Sequence, residues 1–141
     1  MVFTNGVFDL LHKGHVTYLA SAAQLGDALV VGINGDASVR RLGKGADRPI
    51  VPEADRAAVV AASRSVAAVV ALGADTRLAM IEAQKPNVLV KGGDYDAECT
   101  DPMDPRYIVG STEVRASGGQ VATIDLVPGR STTAIARKLK G

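Results

Sequence analysis

Residues 1–26 read MVFTNGVFDLLHKGHVTYLASAAQLG, and the order of residue types in this stretch sets the fold. The apolar start at Met1–Phe3 predicts a buried strand. It runs into the turn-forming Thr4-Asn5-Gly6-Val7-Phe8-Asp9, after which Val16, Leu19, Ala20 and Ala23 recur at the spacing of one helix face. Gly26 supplies a stop for that helix. A strand followed at once by a helix is the first half of a parallel crossover unit.

The alternation continues along the chain. Apolar runs at Asp27–Ile33, Val66–Leu72, Val88–Val90 and Val121–Leu126 are short enough for strands buried on both faces. Between them the pattern predicts a helix from Glu53 to Ser63 after Pro52, and another from Thr76 to Gln84 stopped by Pro86. Ser131 or Thr132 caps a last helix with Ile135 and Leu139 on its apolar side and a basic final turn. The expectation is an α/β protein: a single domain over 1–141 with a doubly wound, Rossmann-like five-stranded parallel sheet and helices on both faces. Ligands then bind beyond the carboxyl ends of the strands. Asn34–Pro52 and Gly92–Thr112 fall outside the alternation and read as long functional loops.

Composition narrows the function. Sixteen Lys plus Arg against fifteen Asp plus Glu leave a net charge of +1, so no whole-molecule field draws the chain to nucleic acid or to an anionic membrane. An anionic ligand must be held locally. Aromatic residues are only 4%, too few for stacking bases, whereas fifteen glycines allow close backbone approach to a ligand. The single Cys99 makes no internal disulfide and fits a reducing compartment, the cytoplasm. Polar residues from Asn5 to Lys13 break any leader-like apolar core, and no run is long enough to span a bilayer.

The first strand-to-helix junction is the natural anion site. Gly6 permits close approach, and the helix start offers unpaired N–H groups at the positive end of a dipole. His12 and His15, separated by Lys13 and Gly14, can point the same way beside that anion. A zinc site needs a third ligand, for which Asp9 is the only local candidate, so no protein-bound metal is expected. Neither G-x-x-x-x-G-K-S/T nor G-x-G-x-x-G is present.

TNGVFDLLHKGH resembles the T/G-x-F-D-x-x-H-x-G-H signature of the cytidylyltransferase-like nucleotidyltransferase superfamily, and GRSTTAI resembles its second motif. GKGADRPIVPEADR, PNVLVKGGDYD and EVRASGGQV extend the likeness over nearly the whole chain to the D-glycero-β-D-manno-heptose 1-phosphate adenylyltransferases, which occur alone or as the C-terminal half of a bifunctional heptose kinase/adenylyltransferase. The resemblance implies adenylyl transfer from ATP to a heptose 1-phosphate, giving ADP-heptose and pyrophosphate for lipopolysaccharide core synthesis. It also implies Mg²⁺ arriving with ATP, a homodimer, and functional coupling to a separate heptose kinase. The alternatives are a glycerol or polyol phosphate cytidylyltransferase, a GTP-using heptose enzyme, and a nucleotide-binding module without turnover. Family members carry additional residues ahead of the first strand. The stretch Asp96–Tyr107 is longer and more acidic than the family segment, which places differences in base preference or partner contacts there.

The resemblance also implies roles. His12 and His15 would stabilise charge at the α-phosphorus, and Lys44, between two glycines, would close on the triphosphate. Thr4, Asn5, Gly6 and Phe8 would shape the turn under the nucleotide, with Phe8 equally suited to the core. Asp9 would orient a histidine or cap the first helix. Lys91-Gly92-Gly93-Asp94 would approach the nucleotide, and Arg130-Ser131-Thr132-Thr133 would grip the β- and γ-phosphates. Arg56 would contact the substrate phosphate or pair with Glu53, and Asp36 would face the heptose hydroxyls.

Overall fold

The computed structural model describes residues 1–41, 47–73 and 75–140. Five strands, β1 (Val2–Gly6), β2 (Leu29–Asn34), β3 (Ala68–Leu72), β4 (Val88–Gly92) and β5 (Gln120–Ile124), form one sheet in the order β3-β2-β1-β4-β5. All four pairings are parallel, as the alternation requires. The helices between and after them are α1 (Lys13–Ala23), α2 (Asp36–Arg41), α3 (Glu53–Ala61), α4 (Arg77–Gln84), α5 (Ser111–Ala116) and α6 (Thr132–Lys140).

Successive strand residues feed opposite faces, which makes the sheet doubly covered. Val2, Val31, Val88 and Val90 pack with Leu19 and Ala22 of α1 and Val60 of α3 on one side. Phe3 and Leu89 pack with Ile81 of α4, with Ile108 ahead of α5 and with Val114 of α5 on the other. Most of these side chains are fully buried, and each Val, Leu, Ile or Phe among them contributes about 1.5–3 kcal/mol by its burial.

The two long segments contain more regular structure than the sequence predicts. α2 lies inside the first stretch read as a loop and α5 begins at the end of the second, and six residues are too few for a helical period to show. The apolar face of α1 also differs from the expected one. Leu19 and Ala22 are buried, whereas Val16 is 54% exposed. The helix finishes at Ala23 with Gln24 as its C-cap, short of Gly26.

Register positions the site. β1 pairs with β2 along all five residues, but with β4 only at Val2↔Val88 and Phe3↔Leu89. Beyond Phe3 the two central strands part, opening a crevice at the point where the chain turns in opposite directions from β1 and β4. Lys91 closes its floor: the buried Nζ donates to the Asn5 carbonyl at 3.0 Å.

Candidate active site

A cavity of about 390 Å³ occupies that crevice, at the carboxyl ends of the strands. The chain leaving β1 turns through Phe8, whose φ of 50° lies in the left-handed region that a bulky side chain rarely adopts. Burial holds it there, since the ring is 7% exposed within the core and tilts against His15 with centroids 5.3 Å apart. Asp9 follows, and it neither orients a histidine nor caps α1. Its carboxylate accepts from Arg48 Nε at 2.9 Å and from the Ile50 and Val51 N–H groups, fastening the chain ahead of α3 to the end of β1.

His12 is the N-cap of α1. Its Nδ1 accepts the Gly14 N–H at 3.0 Å, while His15 Nδ1 accepts the His12 N–H at 3.3 Å. This is a capping box in which imidazoles replace the usual hydroxyl and carboxylate. The rings stack, 3.8 Å between centroids. With both Nδ1 atoms accepting backbone protons, each neutral ring carries its hydrogen on Nε2. Burial, and after it the charge of Arg130, holds His12 below the usual imidazole range, which favours this neutral donor form.

α6 enters from β5 and packs its start onto the start of α1. A Cβ at Gly14 would lie 2.7 Å from His12 Cε1 and 3.4 Å from Arg130 Cβ, so this contact requires glycine. The hydroxyls of the α6 start divide their tasks. Thr132 donates to the Leu10 carbonyl at 3.1 Å and is a structural tie. Ser131 Oγ accepts the Ala134 N–H at 3.0 Å, which leaves its proton to donate outward, and Thr133 is exposed at the cavity wall.

Of the residues implicated by sequence, Asn5, Gly6, Phe8, His12, His15, Lys91, Gly92, Asp94, Arg130, Ser131, Thr132 and Thr133 line the one cavity. Thr4 lies beneath it, fully buried and hydrogen-bonded to the Tyr18 hydroxyl at 2.7 Å. Gly93 turns away toward β5, where a Cβ would meet Asp125 Cα at 3.2 Å. Lys44 lies outside the described residues. Arg56 and Asp36 are placed elsewhere and do not line the cavity. Arg56 is 1% exposed and donates to the carbonyls of Val51 and Val7 and to Asp36 Oδ1, so both act as an internal brace.

Sequence reasoning gave no role to Tyr18, Arg48, Arg77 or Tyr95, all of which line the cavity. Tertiary placement alone brings Arg48 and Arg77 there, whereas Tyr95 directly follows Asp94 in the chain. Tyr18 sits one turn beyond the histidines on α1, a spacing that could have been read. Burial pushes its phenol up to about 12, with Asp94 and Tyr95 adding to the rise and the Thr4 hydrogen bond opposing it. Tyr95 is also raised, by burial and then Asp94, against the pull of Arg77, and its ring lies under Lys91 Nζ at 4.7 Å. Both phenols remain protonated donors at neutral pH. The wall is therefore rich in N–H, O–H and guanidinium groups, suited to a polyanion.

The pattern of the family described as Cytidylyltransferase-like matches residues 3–138. The chain belongs to the cytidylyltransferase-like family. Among other members, the bifunctional protein HldE of Methylobacillus flagellatus is 52% identical over 139 residues, covering 99% of this chain but 27% of that protein. The chain thus spans about a quarter of the length of such relatives. The D-beta-D-heptose 1-phosphate adenylyltransferase of Bordetella bronchiseptica is 49% identical over 140 residues, 99% of this chain and 82% of that one. In three dimensions the chain is similar to the crystal structure of the lipopolysaccharide core biosynthesis protein from Thermoplasma volcanium, with a TM-score of 0.67 and 28% identity over 89% of this chain and 94% of that one. As expected from the sequence, this cytidylyltransferase-like chain has an α/β fold with a five-stranded parallel sheet.

Proposed function

We propose that the protein transfers the adenylyl group of ATP to the phosphate of a D-β-D-heptose 1-phosphate, releasing pyrophosphate and forming ADP-heptose. The observation that carries this reading is the pair of Nε2–H imidazoles at the head of α1, facing a cavity whose other wall is the Arg130–Thr133 helix start. The near-full-length identity to the Bordetella adenylyltransferase supports the choice of nucleotide and sugar.

An oxygen of the sugar phosphate, already anionic at neutral pH, attacks the α-phosphorus. The bond from that phosphorus to the bridging oxygen of pyrophosphate breaks, and the electron pair leaves with pyrophosphate. No proton has to be removed from the nucleophile, so the residues need only align the reactants and stabilise charge. His12 and His15 donate to the α-phosphate oxygens, while Arg130, the Ser131 hydroxyl and the N–H groups opening α6 take the leaving pyrophosphate. Mg²⁺ bound with ATP would supply neutralisation of the triphosphate charge, while the residues named here orient the reactants.

No helix among the described residues is long and apolar enough to cross a membrane. We place the reaction in the cytoplasm, where ATP and a kinase-made sugar phosphate are available, with the protein acting as a homodimer supplied by a separate heptose kinase. Pyrophosphate release with Mg²⁺, crossing ATP, CTP and GTP against heptose 1-phosphate and glycerol 3-phosphate, tests the reading. Turnover confined to ATP with heptose 1-phosphate is the expected result. Turnover with another pair replaces the substrates, and none from folded protein removes the catalytic reading.

A further inference from the structure

Arg48 is held by one edge only. Its side chain is 7% exposed, and Nε donates to Asp9 Oδ2 at 2.9 Å. Among the described residues Nη1 and Nη2 have no hydrogen-bond partner, and the residue lines the cavity. Arg56, by contrast, places Nε, Nη1 and Nη2 on protein acceptors and stays out of the cavity. Fastening the chain ahead of α3 needs only the Asp9 contact, so the outer edge of the guanidinium is left to face the cavity, where a ligand can take it. Two parallel N–H groups fit a phosphate.

The position of Arg48 selects which phosphate. It precedes α3, which packs on β2 and β3, while Arg130 and Ser131 arrive from β5. In the order β3-β2-β1-β4-β5 these approaches flank β1, whose following loop carries the histidines. In-line displacement at phosphorus brings the entering group in opposite to the leaving one. With pyrophosphate on the α6 flank, the entering group comes from the Arg48 flank. We infer that the Nη edge of Arg48 seats the phosphate of the acceptor, and that Asp9 is the positioning residue that aims it. The inference rests on the phosphoryl-transfer reading above and adds a residue to it. Asp9 does not repel the incoming phosphate, because its charge is matched by Arg48 and two backbone N–H groups.

The test uses the full chain saturated with Mg²⁺ and α,β-methylene ATP, which cannot be cleaved at the reacting bond, with inorganic phosphate as the probe in a calorimetric or ³¹P NMR titration. R48K keeps a cation opposite Asp9 but cannot also present two parallel N–H groups; R48M removes both, and its thermal melt reports whether it folds. The expected result is a loss of phosphate affinity of about tenfold or more in R48K, with affinity for the ATP analogue within about twofold of the parent. Unchanged phosphate affinity in R48K, a parallel loss of analogue affinity, or no phosphate uptake by the parent overturns the inference. If the phosphate result is as expected while heptose 1-phosphate gives no turnover, the seat stands and the proposed substrate falls.

Discussion

His12 and His15 cap one helix turn reciprocally: the Gly14 N–H donates to His12 Nδ1 at 3.0 Å, and the His12 N–H donates to His15 Nδ1 at 3.3 Å. The same two atoms that satisfy the head of α1 fix which nitrogen of each ring faces the cavity. Helix capping and transition-state stabilisation thus depend on one protonation state, and substitutions can separate them.

His12→Asn is the separating change. Asparagine is a preferred N-cap and can accept the same backbone N–H, so unfolding free energy should fall by no more than about 0.5 kcal/mol, against about 1 kcal/mol for His12→Ala. Turnover should nevertheless drop by about 10²–10³-fold in both, the usual effect of losing one donor to a developing oxyanion. Urea unfolding and pyrophosphate release on the same preparations check this. Near-parental turnover in the asparagine variant would mean that His12 is only a cap.

Protonation of His12 at Nδ1 removes its acceptor. Its folded pKa lies below the ordinary 6.5, burial being the larger cause and Arg130 the smaller. The neutral cap therefore stabilises the fold fully above the unfolded value and ceases to do so as pH falls through the lower, folded one. The acid limb of kcat/KM, which reports the free enzyme, should have its midpoint below pH 6.5. Arg130→Met should shift the His12 titration upward without reaching the ordinary value, because burial remains. A ¹H–¹⁵N NMR titration of the imidazoles reads this without substrate, and a midpoint above 6.5 in the parent would refute it.

These local features were legible because they are contiguous in sequence: the strand-to-helix turn, the histidine pair and the Ser-Thr-Thr helix start each fall within one short stretch. The brace formed by Arg56 and Asp36 was not, since nothing in EADR signals that the guanidinium will reach Val7, forty-nine residues back. The same holds for Asp9, whose acceptors are filled from forty or so residues downstream. α2 and α5 escaped because a six-residue helix shows less than two turns of periodicity. The apolar alternation fixed strand number because strands buried on both faces need no polar partner residues, so their signal survives without tertiary information.

Arg56→Ala should then damage the fold far more than the substrate site. Removing a fully buried guanidinium leaves Asp36 unpaired and two carbonyls unmatched, a loss of about 3 kcal/mol, at the low end for a broken buried pair because Asp36 retains some access to water. Arg56 together with the Glu53 N–H lowers the Asp36 pKa, outweighing the opposing effect of burial. This part of the stability is present above the unfolded carboxylate value and lost as pH falls through the folded one. In Arg56→Lys, which keeps the charge, acceptor KM should stay within about twofold while the urea midpoint falls. A large rise in KM at unchanged stability would return Arg56 to the substrate.

Gly14→Ala sets helix propensity against site geometry. Gly14 lies in the first turn of α1, where alanine is favoured over glycine by up to about 1 kcal/mol, so the helix itself should not weaken. The added Cβ, however, falls 2.7 Å from His12 Cε1 and 2.8 Å from Nδ1. The imidazole must swing aside, losing the Gly14 N–H bond and its stacking on His15 together. A donor displaced by about 1 Å from a developing charge costs about 10²-fold in rate. Thermal midpoint near the parent with turnover down by that factor is the expected pair of results. Unchanged turnover would show that the ring tolerates displacement and that His12 need not be held in place by the cap.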